Sequence, residues 1–237
     1  MDYAKETLSI FDEGSSRRYR DNDQRAMESG SRLHYAEILR TLSGEFGRKI
    51  SVLDAGCGSG RYFHCLRNVR GLVGLDISPH MLEEASNPVN REALDIESID
   101  LRCGDIRSLQ IDECFDVIYS IGVIGEYSPV DSALLDKLFH LLNPDGKLFF
   151  TAVDVHSRLK MPENARTTLP RRLLRKSFPV LPPFAKRFLN RALSAHYLTE
   201  RQLTGLLKDS PFTSFTITRY CHPSGWQGTH LDCLAHR

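Results

Sequence analysis

The sequence predicts an α/β fold: a doubly wound, seven-stranded, mostly parallel sheet with a C-terminal antiparallel hairpin. Three observations carry this expectation. Five short apolar runs alternate with helical patterns between Ile50 and Val153, the texture of parallel β-α-β units covered on both faces. A glycine-rich turn, Gly56 to Gly60, follows the first of these runs directly. Two later runs, Phe212–Tyr220 and Thr229–His236, alternate like paired strands and are joined through Pro223-Ser224-Gly225.

The elements follow in order. The first fifty residues read as helical, with Leu33, Tyr35, Ala36, Ile38, Leu39 and Leu42 at helical spacing and Gly44 and Gly47 closing the element. The strand runs are Ile50–Ala55, Leu72–Ile77, Ile99–Arg102, Phe115–Ser120 and Lys147–Val153. After the second run, Ser78 and Pro79 supply an N-cap and a first-turn proline ahead of Met81, Leu82 and Ala85. Leu134, Leu135, Leu138, Phe139 and Leu142 mark a helix ending in the turn composition Asn143-Pro144-Asp145-Gly146. Thr199 to Gln202 is a capping box introducing Leu203, Leu206 and Leu207. One domain over residues 1–237 is expected. It divides into an N-terminal helical lid (1–48), a ligand-binding core (49–153), a basic helical cap insertion (154–200), and a final helix with the hairpin (201–237).

Composition narrows the function classes. With 41% apolar and 26% charged residues the chain reads as a soluble globular protein. Asp2, Lys5, Glu6, Asp12 and Glu13 leave no apolar signal-peptide core at the N-terminus. No stretch approaches the roughly 18 apolar residues of a spanning helix. The cysteines at 57, 65, 103, 114, 221 and 233 form no C-x-x-C pair, so they read as thiols in a reducing compartment. A cytoplasmic location is the expectation.

The chemistry gathers at the ends of the apolar runs. Asp54-x-Gly56-x-Gly58-x-Gly60 follows a strand and opens a helix, a place where backbone must pass close to a ligand. The dinucleotide fingerprint would need glycine at position 61, where Arg61 stands, although that cation would suit a pyrophosphate. No Gly-Lys-Ser/Thr follows, which excludes a P-loop. Asp76 ends the second strand, where a carboxylate can accept from vicinal ribose hydroxyls. Asp105 follows the third, where it can accept from an adenine amine, and Ser120 ends the fourth. In an open parallel sheet these positions line one crevice. Taken singly, each glycine also serves a tight turn and each aspartate a helix cap.

Together these residues resemble the class I S-adenosylmethionine-dependent methyltransferases, particularly the small-molecule branch, over Lys49 to Val153 and more loosely through the final hairpin. The resemblance implies a Rossmann-like sheet with S-adenosylmethionine as cofactor and S-adenosylhomocysteine as product. It implies that Asp54, Gly56, Gly58 and Gly60 pack under the methionine part, and that Asp76 with Ile77 holds the ribose. It further implies that Asp105 with the Ile106 amide takes the adenine, and that the Ser120 carbonyl takes the amino group. Asn143–Gly146 departs from the commoner Pro-Gly-Gly by Asp145. The metal-dependent branch carries Asp-Asn at the end of strand five; here Asp154-Val155 implies no catalytic metal.

The acceptor side is less defined. The resemblance sets it over strands four and five, under the N-terminal helix and the late insertion. Those places offer Glu126, which could orient or deprotonate an amine or stand solvated before Ser128-Pro129, and His156, a base or a hydrogen-bonded wall residue. They also offer Tyr19, Tyr127, Asp154, His196 and Tyr197 as substrate contacts, Tyr19 as part of a lid. His222 and His230 read as structural.

Charge is uneven. Residues 157–201 hold eleven Lys/Arg against Glu163 and Glu200, a balance of +9 that leaves −8 elsewhere in a chain of net +1. This segment reads as a cap over the pocket with solvated charges, as an arginine-rich recognition surface for an anionic small substrate, or as a docking face for anionic lipid or nucleic acid. Sparse aromatic-basic interleaving argues against nucleic acid, and Pro170, Pro179, Pro182 and Pro183 break any long membrane-lying helix. The sequence therefore points to methylation of N or O in a small metabolite. The alternatives are a lipid- or macromolecule-directed methyltransferase docking through 157–201, a non-catalytic cofactor-binding protein, and, more distantly, an NAD-binding oxidoreductase. Oligomeric state is not legible.

Overall fold

The computed structural model describes residues 7–8, 10–26, 30–154, 196, 198–221 and 229–237. His156, Tyr197, the basic stretch 157–195 and the Pro223–Gly225 turn lie outside the described residues. The elements are α1 (Glu13–Ala26), α2 (Gly30–Gly44), β1 (Ile50–Ala55), β2 (Val69–Asp76), α3 (Pro79–Ala85), β3 (Ile96–Cys103), β4 (Phe115–Ser120), α4 (Ser132–His140), β5 (Leu142–Val153), α5 (Glu200–Lys208), β6 (Ser214–Cys221) and β7 (Thr229–His236). The seven strands form one sheet in the order β3-β2-β1-β4-β5-β7-β6. The first five are parallel, and β7 runs antiparallel between β5 and β6. The order turns outward on both sides of β1, so the crevice lies at the carboxyl ends of β1 and β4.

Two cores cover the sheet. On one face Tyr35, Ala36, Leu39 and Leu42 of α2 pack on Ile50, Val52, Val117, Tyr119 and Phe149. On the other, Leu134, Leu135 and Leu138 of α4 and Leu203 and Leu207 of α5 cover Leu53, Ile118, Leu148 and Phe150. The alternation along β1, β4 and β5 that divides these sets is the strand period of two. Capping follows expectation. Ser78 Oγ accepts from Met81 N at 3.4 Å with Pro79 in the first turn, and Thr199 and Gln202 complete a reciprocal capping box.

Three local expectations are corrected. The glycine turn does not open an α-helix; only a 3-10 turn, Phe63–Cys65, follows it. Phe63, His64, Cys65 and Leu66 are all buried, so the connection has no solvent face for an amphipathic helix to present. Second, β2 and β3 start three residues before their apolar runs, and β2 stops at Asp76, leaving Ile77 beyond it. In β3 the residues 97–100 are exposed on the sheet edge, where backbone pairing holds a strand without an apolar signal and charged side chains block further pairing. Third, Asn143–Gly146 is not a turn after the helix. Leu142 already pairs with Phe115, and the next pair is Val117 with Lys147. The intervening residues bulge out of β5, with Asp145 left-handed at φ 62°.

Asp116 pins that bulge. Its carboxylate accepts from Arg48 Nη2 (2.9 Å) and Nη1 (3.1 Å), from the Ser51 amide (2.8 Å) and hydroxyl (3.2 Å), and from Asn143 Nδ2 (3.0 Å). Burial works against the charge, but the donors from Arg48, Ser51 and Asn143 outweigh it and hold the carboxyl at about 2. Among the described residues no helix is long and apolar enough to cross a membrane.

A carboxylate held below its unfolded value contributes stability above that value and loses it as pH falls through the folded one. Asp116→Ala is therefore expected to lower unfolding free energy by about 3 kcal/mol at pH 7, since it strands several donors. The penalty should shrink as pH drops from 4 toward 2. Urea denaturation of both proteins across that range measures it.

Candidate active site

The crevice is built around one turn. Leu75 O, on β2, accepts from Gly56 N (2.7 Å) and Cys57 N (2.9 Å), which draws the chain leaving β1 across the end of its neighbour. Gly56 has φ 99°, and a Cβ there would meet Val123 at 2.4 to 2.9 Å. Gly60 has φ 71°, and a Cβ would meet the Phe63 ring at 2.7 Å. Both positions exclude any side chain. The loop after β4 can therefore lie directly on the glycine turn.

Asp76 closes the turn from the side. Its Oδ2 accepts from Gly58 N at 2.9 Å and its Oδ1 from Ser78 N at 2.8 Å. Burial raises its pKa, while the amides of Ser78, Gly58 and Ile77 pull the other way. Asp54, at the end of β1 and in register with Tyr119 of β4, is almost fully enclosed. Desolvation pushes it up to about 8; the Tyr119 hydroxyl and Arg61 oppose this and Asp76 adds to it.

The other predicted residues are distributed along the same edge. Asp105 caps its own turn: Oδ1 accepts from Arg107 N (2.9 Å) and its carbonyl from Ser108 N (3.0 Å) and Leu109 N (2.8 Å). Ile106 is buried in the core. Ser120 Oγ donates to Ala55 O at 2.6 Å, stapling β4 to β1. Glu126 belongs to a tight loop in which Glu126 N, Tyr127 N and Ser128 N all donate to Val123 O. Its Oε2 turns back beside Gly122, 3.6 Å from where a Cβ there would stand. His196 N donates to Glu126 O at 3.1 Å, bringing the far end of the insertion against this loop. Asp154 is fully buried and pairs with Arg219 Nε of β6 at 3.0 Å, the geometry of a wall.

The N-terminal segment lies over the edge. The Tyr19 ring carries the Arg61 guanidinium at 4.5 Å and stands edge-on to Phe11 at 6.1 Å, and Phe11 in turn stands edge-on to Tyr127 at 5.8 Å. This aromatic arch spans from the glycine turn to the β4 loop, and Ser78 Oγ ties it down through Phe11 O at 3.0 Å. Arg61 does not project toward a ligand phosphate. Its Nε pairs with Asp23 of α1 at 2.8 Å, and the Ser59 hydroxyl donates to the same carboxylate at 2.6 Å. Sequence reasoning missed Phe11 and Asp23. The spacing of Tyr19 and Asp23, one helical turn apart, was the available signal.

Comparison with known proteins follows the same stretch. A family model described as a methyltransferase domain matches residues 47–186. The chain is 32% identical over 125 residues to a ubiquinone biosynthesis O-methyltransferase of Coxiella burnetii, covering 52% of this chain and 50% of that protein. It thus spans about half the length of the curated relatives it matches. Among solved structures, it resembles the plantazolicin methyltransferase BpumL in complex with a monoazolic desmethylPZN analog and SAH, with a TM-score of 0.63, 16% identity, and 99% and 93% of the two chains covered. It also resembles the magnesium protoporphyrin IX methyltransferase of Synechocystis PCC 6803 with bound SAH, at TM-score 0.53, 17% identity, and 87% and 84% coverage. At such identities these two show a shared fold.

Two outcomes follow from the geometry. A carboxyl whose folded pKa lies above its unfolded one takes up a proton on folding, so the ligand-free protein should lose stability as pH rises from about 4 toward 8. Asp54→Asn should flatten that slope in urea denaturation between pH 5 and 9. Asp23→Ala strands the largely buried Arg61 charge and should cost about 3 kcal/mol. Adding Arg61→Met should recover most of the loss, a coupling that a double-mutant cycle reads directly.

Proposed function

The chain belongs to the methyltransferase-domain family, and we propose that it transfers the methyl group of S-adenosylmethionine to a hydroxyl or amine of a small metabolite, leaving S-adenosylhomocysteine. The observation that carries this reading is the 2.9 Å bond from Gly58 N to Asp76 Oδ2. It joins the glycine turn after β1 to the acid of β2, so a ligand lying across the two strand ends meets both.

The donor set suits an adenosyl sulfonium. Asp76 accepts from Gly58 N and Ser78 N, and its carboxylate, which can only accept, would take the ribose hydroxyls as further donors. The Ser120 hydroxyl donates to Ala55 O and accepts from Ile124 N, and the Ser120 carbonyl would take the ammonium. Asp105 and the Ile106 amide would take the adenine, Ile77 would flank the ribose, and Asp54, Gly56, Gly58 and Gly60 would floor the methionine part. When bound, the cofactor supplies a methyl already activated by its cationic sulfur, so the protein's task is alignment and exclusion of water. The arch of Tyr19, Phe11 and Tyr127 serves that exclusion.

An oxygen acceptor gains support from the similarity to an O-methyltransferase. Glu126, beside Gly122 on the β4 loop, is a candidate to orient the acceptor, with Tyr127 and His196 near it and Asp154 as a wall. The roles of His156 and Tyr197 rest on their sequence positions alone. An anionic acceptor is suggested by the eleven Lys/Arg of residues 157–201.

Calorimetry with S-adenosylhomocysteine tests the cofactor assignment. Micromolar or tighter binding is expected, weakened by roughly 30-fold or more in Asp76→Ala, because two charge-assisted hydrogen bonds are lost. Equal binding by the variant refutes the ribose role. Transfer of labelled methyl groups to a metabolite extract tests the activity itself.

A further inference from the structure

A second polar cluster stands at the crevice edge on the α2 face, one strand beyond β5. His34 Nε2 lies 2.8 Å from Asp232 Oδ2, and the Tyr35 hydroxyl donates to Asp232 Oδ1 at 3.2 Å. The His34 ring stacks on Tyr220 of β6 at 4.0 Å with an interplanar angle of 11°. Asp232 is 5% exposed, whereas the His34 side chain keeps 31% of its surface open. Asp232 pairs in register with Thr151 of β5, and Thr151 Oγ1 accepts from Gly122 N of the β4 loop at 2.9 Å. The cluster therefore sits level with the strand ends that carry the cofactor residues. It is two strand spacings, about 10 Å, from β4.

The arrangement has the parts of a proton acceptor. A carboxylate can only accept, so the Nε2 facing it carries the hydrogen and Nδ1 keeps its lone pair. Stacking on Tyr220 and the bond to Asp232 fix the ring's orientation. Asp232 stands in place to stabilise an imidazolium once it forms, the division of labour between base and orienting acid in nucleophilic enzymes. Burial raises the Asp232 pKa, and the His34 and Tyr35 contacts draw it back down. The groups in contact with His34 are Asp232 from β7, Tyr220 from β6 and Tyr35 from its own helix; His230 pairs in register with Tyr220, and Glu37 is exposed one turn on. Arg219, next to Tyr220, is turned to Asp154 and Glu200. A structural tether between α2 and β7 would gain as much from an apolar pair and avoid the cost of desolvating a carboxylate.

We propose that His34, positioned by Asp232, takes the proton from a hydroxyl acceptor during methyl transfer. The inference rests on the methyltransferase reading above. The acceptor oxygen forms its bond to the methyl carbon as the carbon–sulfur bond breaks, and that electron pair stays on sulfur. The hydroxyl proton passes to His34 Nδ1 and then to solvent. The acceptor oxygen accordingly sits within about 3 Å of Nδ1 when it reacts.

The test uses the full chain, labelled S-adenosylmethionine, and the extract fraction that the wild type methylates. His34→Gln should bind S-adenosylhomocysteine within about twofold of wild type. Its kcat should fall about 100-fold or more, the usual share of a general base, and the acidic limb of the kcat–pH profile should disappear. Asp232→Asn should shift that limb while leaving cofactor affinity unchanged. Unchanged kcat and an unchanged limb in His34→Gln, or a product methylated on a group that loses no proton, overturn the proposal and leave the cofactor reading standing. Wild-type protein that binds S-adenosylhomocysteine yet transfers to no fraction removes the transfer reading and this proposal with it. If His34→Gln fails to fold, the 15N shifts of His34 in the wild type decide. Nε2 protonated throughout with Nδ1 titrating supports the assignment, and a proton resident on Nδ1 overturns it.

Discussion

One carbonyl sets the shape of the crevice. Leu75 O receives both Gly56 N and Cys57 N, so the chain leaving β1 must fold back across β2 before it can go anywhere else. Every later feature of the site depends on that reversal. It presents Gly58 N to Asp76, and it lets Val123 of the β4 loop sit where a Gly56 side chain would be. It also aims Ser59 and Arg61 at α1 rather than at a ligand. Because Gly56 and Gly60 hold left-handed backbone in close contact, a side chain at either would have to displace Val123 of the β4 loop or the Phe63 ring.

Around that turn the edge carries several enclosed carboxyls in contrasting states. Asp23 and Asp154 are matched by arginines, Asp76 by backbone amides and Asp232 by an imidazole and a phenol, whereas burial dominates at Asp54 and leaves it raised to about 8. An enclosed acid is costly unless paired, and here the pairing partner separates structural from chemical roles. An arginine partner commits a carboxylate permanently, since guanidinium does not release its proton. Amide and imidazole partners leave it able to receive further donors or to stabilise a changing charge. Among these acids, Asp76 and Asp232, which carry the proposed ligand and positioning roles, have no arginine partner.

Asp54, Gly56, Gly58, Gly60, Asp76, Asp105 and Ser120 were legible because each sits at a strand end in a parallel sheet, and strand ends are visible as the close of an apolar run. The parallel core, the capping box at Thr199 and the hairpin partners were legible for the same reason: periodicity and caps are local properties. Where polar residues form structure through backbone pairing alone, as at Glu97 and Ser98 of β3, periodicity gave no sign. The bulge at Asn143–Gly146 looked like a turn because its composition is that of a turn; only the pairing of Leu142 with Phe115 reveals the strand already under way.

The sequence by itself determined the fold class, the strand ends that form the crevice, and the adenosyl character of the ligand those ends would suit. Tertiary structure alone decided what each polar side chain does there. It turned Arg61 from a candidate phosphate contact into the counter-ion of Asp23, made Asp154 a buried partner of Arg219, and brought His34 against Asp232 across nearly the whole chain. The physical reason is distance along the chain. A carboxylate's role is set by the donor opposite it, and in this protein those donors arrive from the glycine turn, α2 and β6, at chain separations of up to 198 residues, where no local pattern links them.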